Sequence, residues 1–462
     1  WLLRAVCRTP GSGHPRSGCA SATRSVARTP IGPLSCTLSG DFRTDVSIGQ
    51  GRATLAKLAG GRLEVEGRAS PQRWQLRGDA RDLQVAELRS LLAPWYSLPE
   101  GWTLAGRAGA KFSARGGATP VHAEVTLALA NLNLSNEAST LIAEETAATL
   151  ELALDAREGG YDLDATARGE RGQALAGPVL LDFNSNPFTL RTRGSWRGDT
   201  VDLAQIEATA PQLLALHGNA TLTLGATPEL ALGRLVIEAL EFPAAYTSLM
   251  QITLAATDFG DLVTAGRASG TARFAHNALE RIDLQLEHFS TYNEREFFMK
   301  DVAGELHWAA ATNADVSPSW LSWSSGGAYG LSGGASRVAF VTRAASFALI
   351  EPWHMPIFDG AIDIRTLAVS GAGTPDMNVR FDADIEPISM PPICRAFGWP
   401  EFSGRIGGRI PGVELRGNEL TVKGDIEASV FEGTLVTSGL RLIDPLGKWP
   451  RLFANVRGRS LN

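Results

Sequence analysis

Apolar and polar residues alternate along most of this chain with a period of two. Runs such as "GRLEVEGRA", "RWQLRGDARDLQV", "YDLDATARGE", "ATLTLGA", "GRLVIEALEF", "AIDIRTLAVSG" and "MNVRFDADI" place apolar side chains at every second position, and Gly, Asp, Asn and Pro separate one run from the next. Successive side chains of a strand point to opposite faces, so this pattern predicts many antiparallel strands with one apolar and one polar face. The fold class expected is all-β. A sheet with one apolar side must cover that side with another layer, close on itself, or fill it with something else.

Three short helical patterns interrupt the strands. In "VAELRSLLAPWY" the residues Val85, Leu88, Leu92 and Trp95 form one helical stripe that Pro99 ends. In "ISMPPICRAFGWP", Ser389, Pro391 and Pro392 signal a start, while Gly398 and Pro400 signal a stop. "FPAAYTSLM", from Phe242, is the weaker middle copy. Each precedes a Gly-Arg step: "LAGRAGAKF" with Arg107, "TAGRASGTARF" with Arg267 and "FSGRIGGRI" with Arg405. Such wide separations suit an assembly of several strands around one short helix better than a small solenoid repeat.

The flanks of the first two steps agree as well. Val125, Leu127 and Leu129 align with Ile282, Leu284 and Leu286, and in both copies the apolar parity then flips, at Leu132 and at Phe289. A phase change at the same place predicts a bulge within a long strand. In the third copy the change falls at Val430 to Phe431. The organisation expected is an irregular segment over 1–40, a β unit over 41–200, a second over 201–310, a Gly/Ser/Trp-rich loop over 311–335, and a third unit over 336–462.

Composition narrows the class. With 462 residues, 44% of them hydrophobic and 20% charged, the chain has enough apolar material for a large core or several domains. Its 49 glycines suit short strands and tight turns. A net charge of -6 gives no electrostatic reason to expect a nucleic acid. Four cysteines, three of them at Cys7, Cys19 and Cys36 and the last at Cys394, show no CxxC pairing and form neither a zinc module nor a disulfide framework. The first 30 residues are Arg-rich and lack the apolar core of a signal peptide, and no window holds 18 uninterrupted apolar residues.

Residues that could carry chemistry are scattered. The seven histidines show no HxH, HExxH or HxxxH spacing, so no metal site is expected. Asp162 with Asp164, and Asp382 with Asp384, share a strand face by their spacing and read as a wet face. GxSxG, P-loop and dinucleotide fingerprints do not occur. No catalytic residue and no cofactor is assigned, and enzymatic chemistry is not expected.

From Pro356 onward the chain resembles the C-terminal region of AsmA-like proteins, the YdbH-type group above all. The resemblance rests on the order of "EPISM", "FGWPEFSGRIGGRIPGV", "VFEGTLVTSGLRLIDPLG" and "RLFANVRGR". It covers about the last quarter well and the earlier copies more loosely. It implies a long, strongly curved antiparallel sheet built from repeated strand-helix-strand units and forming an open groove with an apolar inside. It further implies a periplasmic protein anchored to the inner membrane that conducts phospholipids between the inner and outer membranes. A small outer-membrane lipoprotein would be a further partner. On this reading Val125, Leu127, Leu129, Ile282, Leu284 and Leu286 are lipid-groove candidates, although their alternation alone fits an ordinary sandwich core. The family's membrane helix is missing and the chain stops directly after a strand, so the sequence reads as an internal fragment. A structural or adhesive β-protein with a closed core is the first rival reading, and a polysaccharide-active enzyme on a β-scaffold is the second.

Overall fold

The computed structural model of the chain describes residues 23–29, 32–43, 48–70, 72–92, 101–117, 121–225, 228–257, 259–293, 297–328, 330–374, 376–401, 403–430, 433–443 and 451–459. Among these residues, thirty strands and four short helices account for the regular structure, and the fold is all-β. Strands adjacent in sequence pair with one another in antiparallel fashion almost throughout. A parallel exception joins Trp308 and Ala309 to Thr342 and Arg343. The chain divides into two compact units, residues 1–167 and 168–462.

In the first unit the strands Ile48–Leu58, Gly61–Ala69 and Arg73–Gln84 lead into helix α1, Val85–Leu92. The strands Thr103–Gly117, His122–Ser135 and Leu141–Arg157 follow. In the second unit the strand Glu229–Phe242 leads into α2, Ala244–Leu249, and α3, Gln251–Leu254. Val263–Ala275, Ala278–Tyr292 and Phe298–Ala309 come next. Further along, Asn378–Ser389 leads into α4, Met390–Phe397, and Arg405–Arg416 follows.

Each helical insertion is built the same way. It lies between two antiparallel neighbours, so the chain leaves the sheet, makes a short helix and returns beside the strand it left. The return point is the Gly-Arg step, through Gln84↔Arg107, Phe242↔Gly266 and Ser389↔Arg405. Just before each helix the register slips, between Ala80 and Leu83, Ile237 and Leu240, and Ile385 and Ile388. The residue after the slip is buried every time: Leu83, Leu240 and Ile388. Its cross-strand partner stands next to the arginine of the step, as Ala108, Ala268 and Ile406. Burial of these apolar pairs holds the junctions together.

The glycines of the steps have similar backbones, with φ of +125° at Gly106, +115° at Gly266 and +120° at Gly404. At Gly106 a Cβ would lie 2.7 Å from the carbonyl oxygen of Asn131, and at Gly266 it would lie 2.5 Å from the Cα of Phe289. Both therefore require glycine, for the left-handed backbone and for the close approach of the neighbouring strand. The neighbour bulges at this very place. Asn131 and His288 adopt φ of +51° and +48°, and the register shifts between Leu129 and Leu132 and between Leu286 and Phe289. The parity flips read from the sequence are these two bulges. Phe431 lies outside the described residues.

The helix signals also have structural counterparts. Helix α4 begins after Ser389 with prolines in its first turn, and ends on Gly398 at φ +65°, whose N–H donates to the carbonyls of Arg395 and Cys394. Two other expectations differ from the structure. The segment expected to be irregular over 1–40 contains the strands Thr23–Thr29 and Gly32–Arg43, which pair with each other. Leu34, Cys36 and Leu38 already alternate there, a strand signal too short to stand out beside the surrounding Arg, Ser and Pro. The expected loop over 311–335 carries three short strands, Ser319–Trp323, Ser325–Ala328 and Leu331–Gly333. Their pairing partners are distant or glycine-rich, as in Leu321↔Val338 and Gly326↔Gly333, so local composition hid them.

Candidate functional site

The candidate site in the first unit is one face of the sheet. Cross-strand register places Leu63 opposite Ala80, Ala80 opposite Ala110, Ala110 opposite Leu127 and Leu127 opposite Leu150. One step along, Val65, Gly78, Phe112, Val125 and Leu152 form a parallel row. Directly opposed residues share a face, so Val125, Leu127 and Leu129 belong to an apolar surface five strands wide. Helix α1 covers one end of it: Val85 and Leu88 pack with Leu127 and Leu129 against the buried Ala59, Ala80, Leu83 and Ala108. Away from the helix the face is open. Trp74, Leu76, Val125 and Leu150 remain 37%, 36%, 37% and 39% exposed.

The opposite face of the same strands is charged. Arg62 pairs with Glu64, Arg52 with Glu66, Arg81 with Asp79 and His122 with both Glu124 and Asp155. Exposed pairs of this kind contribute little stability each. What they establish is which side of the sheet faces water. Hydrogen bonds that its ring donates to the carboxylates of Asp155 and Glu124 raise the His122 pKa above its ordinary value. Arg81, as hydrogen-bond donor, holds the Asp79 carboxyl below the usual range.

Ile282, Leu284 and Leu286 lie in the second unit, in a different setting. They pack against a buried cluster of Ala210, Leu213, Ile237, Leu240, Ala245, Ala268 and Ala272. Helix α2 closes over part of it, with Ala245 and Tyr246 buried. The Tyr246 hydroxyl donates to the carbonyl of Phe259 at 2.5 Å and accepts the N–H of Leu262 at 3.3 Å, which ties the helix to the chain that follows. Thus five of the six candidates pack against a buried cluster, Leu127 and Leu129 in the first unit and Ile282, Leu284 and Leu286 in the second, while Val125 stands on the open part of its face.

The histidines show an order that spacing did not reveal. Each of the six described histidines stands beside a carboxylate, for example His307 with Asp283 at 2.8 Å, His276 with Glu229 at 2.7 Å and His288 with Asp301 at 2.7 Å. Most of these partners belong to neighbouring strands, so only the sheet register brings them together. His354, Asp363 and Glu386 place three ligand atoms within 4.8 Å of one another on three successive strands. His354 Nδ1 is 2.7 Å from Asp363 Oδ1, the same pairing that the other histidines make.

Glu414 is surrounded by four side-chain donors. Lys423, Asn378, Arg380 and Arg416 all donate to it, at 2.9, 3.3, 3.1 and 2.8 Å. These partners, Lys423 first, hold its carboxyl far below the usual range. Of the paired aspartates, Asp382 accepts the N–H of Gly412 and the hydroxyl of Thr366, and Asp384 pairs with Arg365. Each has a structural partner.

Sequence reasoning missed Trp74, Leu76, Leu150 and Leu152 as members of the open face. Their alternation was visible in "RWQLRGDARDLQV" and "LELALDA", but the register that sets them beside Val125 and Leu127 was not. Among the described residues no helix is long and apolar enough to cross a membrane. No known family model matches the chain, and no curated protein is similar to it.

Proposed function

We propose that this protein is a lipid-shielding β-protein of the AsmA-like kind, which holds phospholipid acyl chains against an apolar sheet face and catalyses no covalent chemistry. The observation that carries the reading is the unsealed face of the first unit. Large apolar side chains on three of its five strands stay more than a third exposed, while the reverse face is laced with ion pairs. A folded monomer seldom leaves so much contiguous apolar surface without a ligand or partner for it. Exposing the roughly 30 methylenes of a two-chain lipid would cost on the order of 20 kcal/mol at about 0.8 kcal/mol each. A continuous apolar face removes most of that cost and leaves the head group in water. Phospholipid is the ligand of this proposal, passage between two membranes across a periplasm is the setting, and contact with those membranes and with a small lipoprotein follows from the same family reading.

One finding favours the rival of a closed-core structural protein. In the second unit Ile282, Leu284 and Leu286 are backed by side chains of the protein itself. Native mass spectrometry with lipid extraction separates the two. Phospholipid should copurify with the protein from a Gram-negative periplasm and be lost in the Leu127→Asp, Leu150→Asp double variant, while the β circular-dichroism signal persists. Protein that is folded and free of lipid in the parent form supports the closed core instead.

A further inference from the structure

The stretch first expected to be a loop lines part of an apolar cavity in the second unit. It has a volume of about 300 Å³, and Trp323, Trp353, Met299, Met355, Phe298 and Ile357 are among the side chains in its wall. The two tryptophans meet edge to face, their ring centres 5.8 Å apart. Trp353 donates its indole N–H to the Ser336 hydroxyl at 3.0 Å, so its polar atom is satisfied. Methionines and aromatic faces make an adaptable apolar lining.

A second cavity of about 520 Å³ adjoins the first, for the two share Phe297, Phe298 and Leu331 in their walls. Its character is different: Tyr292, Asn293, Ser332 and Arg395 line it. Arg395 is largely exposed and meets Glu401 through Nη1 at 3.2 Å. A guanidinium has five donors in a planar fork, so one such contact leaves capacity for an incoming anion.

We infer that the two cavities together form a binding site for a single-chain anionic amphiphile, with its hydrocarbon chain between Trp323, Met355 and Phe298 and its carboxylate or phosphate beside Arg395. Volume selects one chain. Ligand pockets run from roughly 300 to 1,000 Å³, and the apolar cavity lies at the lower limit, too small for both chains of a diacyl lipid. Charge selects the anion, because the polar cavity offers a cation at the end where the chain would emerge. The site belongs wholly to the second unit and does not depend on the open face of the first.

Isothermal titration calorimetry of the whole chain tests this, with dodecanoate, dodecyl phosphate, dodecanol and dodecylammonium each kept below its micelle concentration. Saturable binding of one dodecanoate or dodecyl phosphate per chain is expected, with dodecylammonium at least threefold weaker. Whichever of the two anions binds more tightly identifies the head group. Arg395→Gln should weaken the anions about threefold, the fold-change of a solvent-exposed ion pair of about 0.7 kcal/mol, and leave dodecanol unchanged. Ala328→Trp and Met355→Trp, which fill the apolar cavity from two sides, should each abolish binding of all four. If the anions bind Arg395→Gln as tightly as the parent, the head-group assignment is overturned. If the parent protein binds none of the four, or if either cavity-filling variant keeps its β circular-dichroism signal and binds normally, the site itself is overturned. Neither result bears on Leu127 or Leu150, so failure here is distinguishable from failure of the lipid-shielding reading.

Discussion

The strands that follow the first Gly-Arg step and those that follow the second are made from the same parts and put to different uses. Both have a positive-φ glycine against a bulge, a register slip before the helix, and a buried Leu–Ala pair beneath it. They differ in what the helix covers. Helix α1 reaches only the end of its face and leaves Val125 and Leu150 open, whereas α2 is pinned by Tyr246 over a buried cluster that backs Leu284. Junction chemistry therefore does not decide whether a sheet face is sealed.

The shared half of the comparison should break hardest. Gly106→Val and Gly266→Val each force a branched side chain into left-handed backbone and into the neighbouring strand, and each should cost about 3 kcal/mol or more in chemical denaturation. A cost below 1 kcal/mol at either would show that the step tolerates a side chain after all. Next, Leu284→Ala should cost about 2 kcal/mol, because its neighbours cannot all collapse into the space. Leu150→Ala, already half in water, should cost about 1 kcal/mol or less. Equal costs would erase the distinction between open and backed faces. Tyr246→Phe strands the Leu262 N–H and the Phe259 carbonyl, for an expected loss of about 1–2 kcal/mol confined to the second unit. Protection of the α2 amides in hydrogen exchange should fall with it.

The smallest effects are those of pH, and they have opposite signs in the two units. His122 is raised, so its contribution is fully present below the unfolded value near 6.5 and is lost as pH rises through the folded value. Glu414 is lowered, so its contribution is present above the usual carboxylate range and is lost as pH falls well below it. In titrations followed by denaturation, His122→Gln should alter only the stability seen at mildly acid pH, and Glu414→Gln should flatten the acid limb. An unchanged acid limb in Glu414→Gln would remove it as the focus of that ion network.

The sequence made the alternation, the short helices and the bulges legible, because each is a local pattern of two to eight residues. Ser389, Pro391 and Gly398 marked helix α4 almost to the residue. Leu129 followed by Leu132, and Leu286 followed by Phe289, showed the phase change that a bulge must produce. Register was not legible. It takes pairing across strands to set Leu150 beside Leu127, to bring His307 to Asp283, or to fold "SWLSWSSGGAYGLSGG" into three strands around a cavity. The contrast between exposed Val125 and backed Ile282 also lies at that level, since the two stand at matching positions in nearly equivalent patterns.

The most direct test of the central claim is photo-crosslinking from the open face itself. A benzophenone side chain placed at Leu150 in the first unit, with one at Glu151 on the charged reverse face as its counterpart, should be irradiated in cells and examined for phospholipid adducts. The account predicts adducts at Leu150 and none at Glu151. Absence of lipid at Leu150, or equal labelling of both faces, would contradict it.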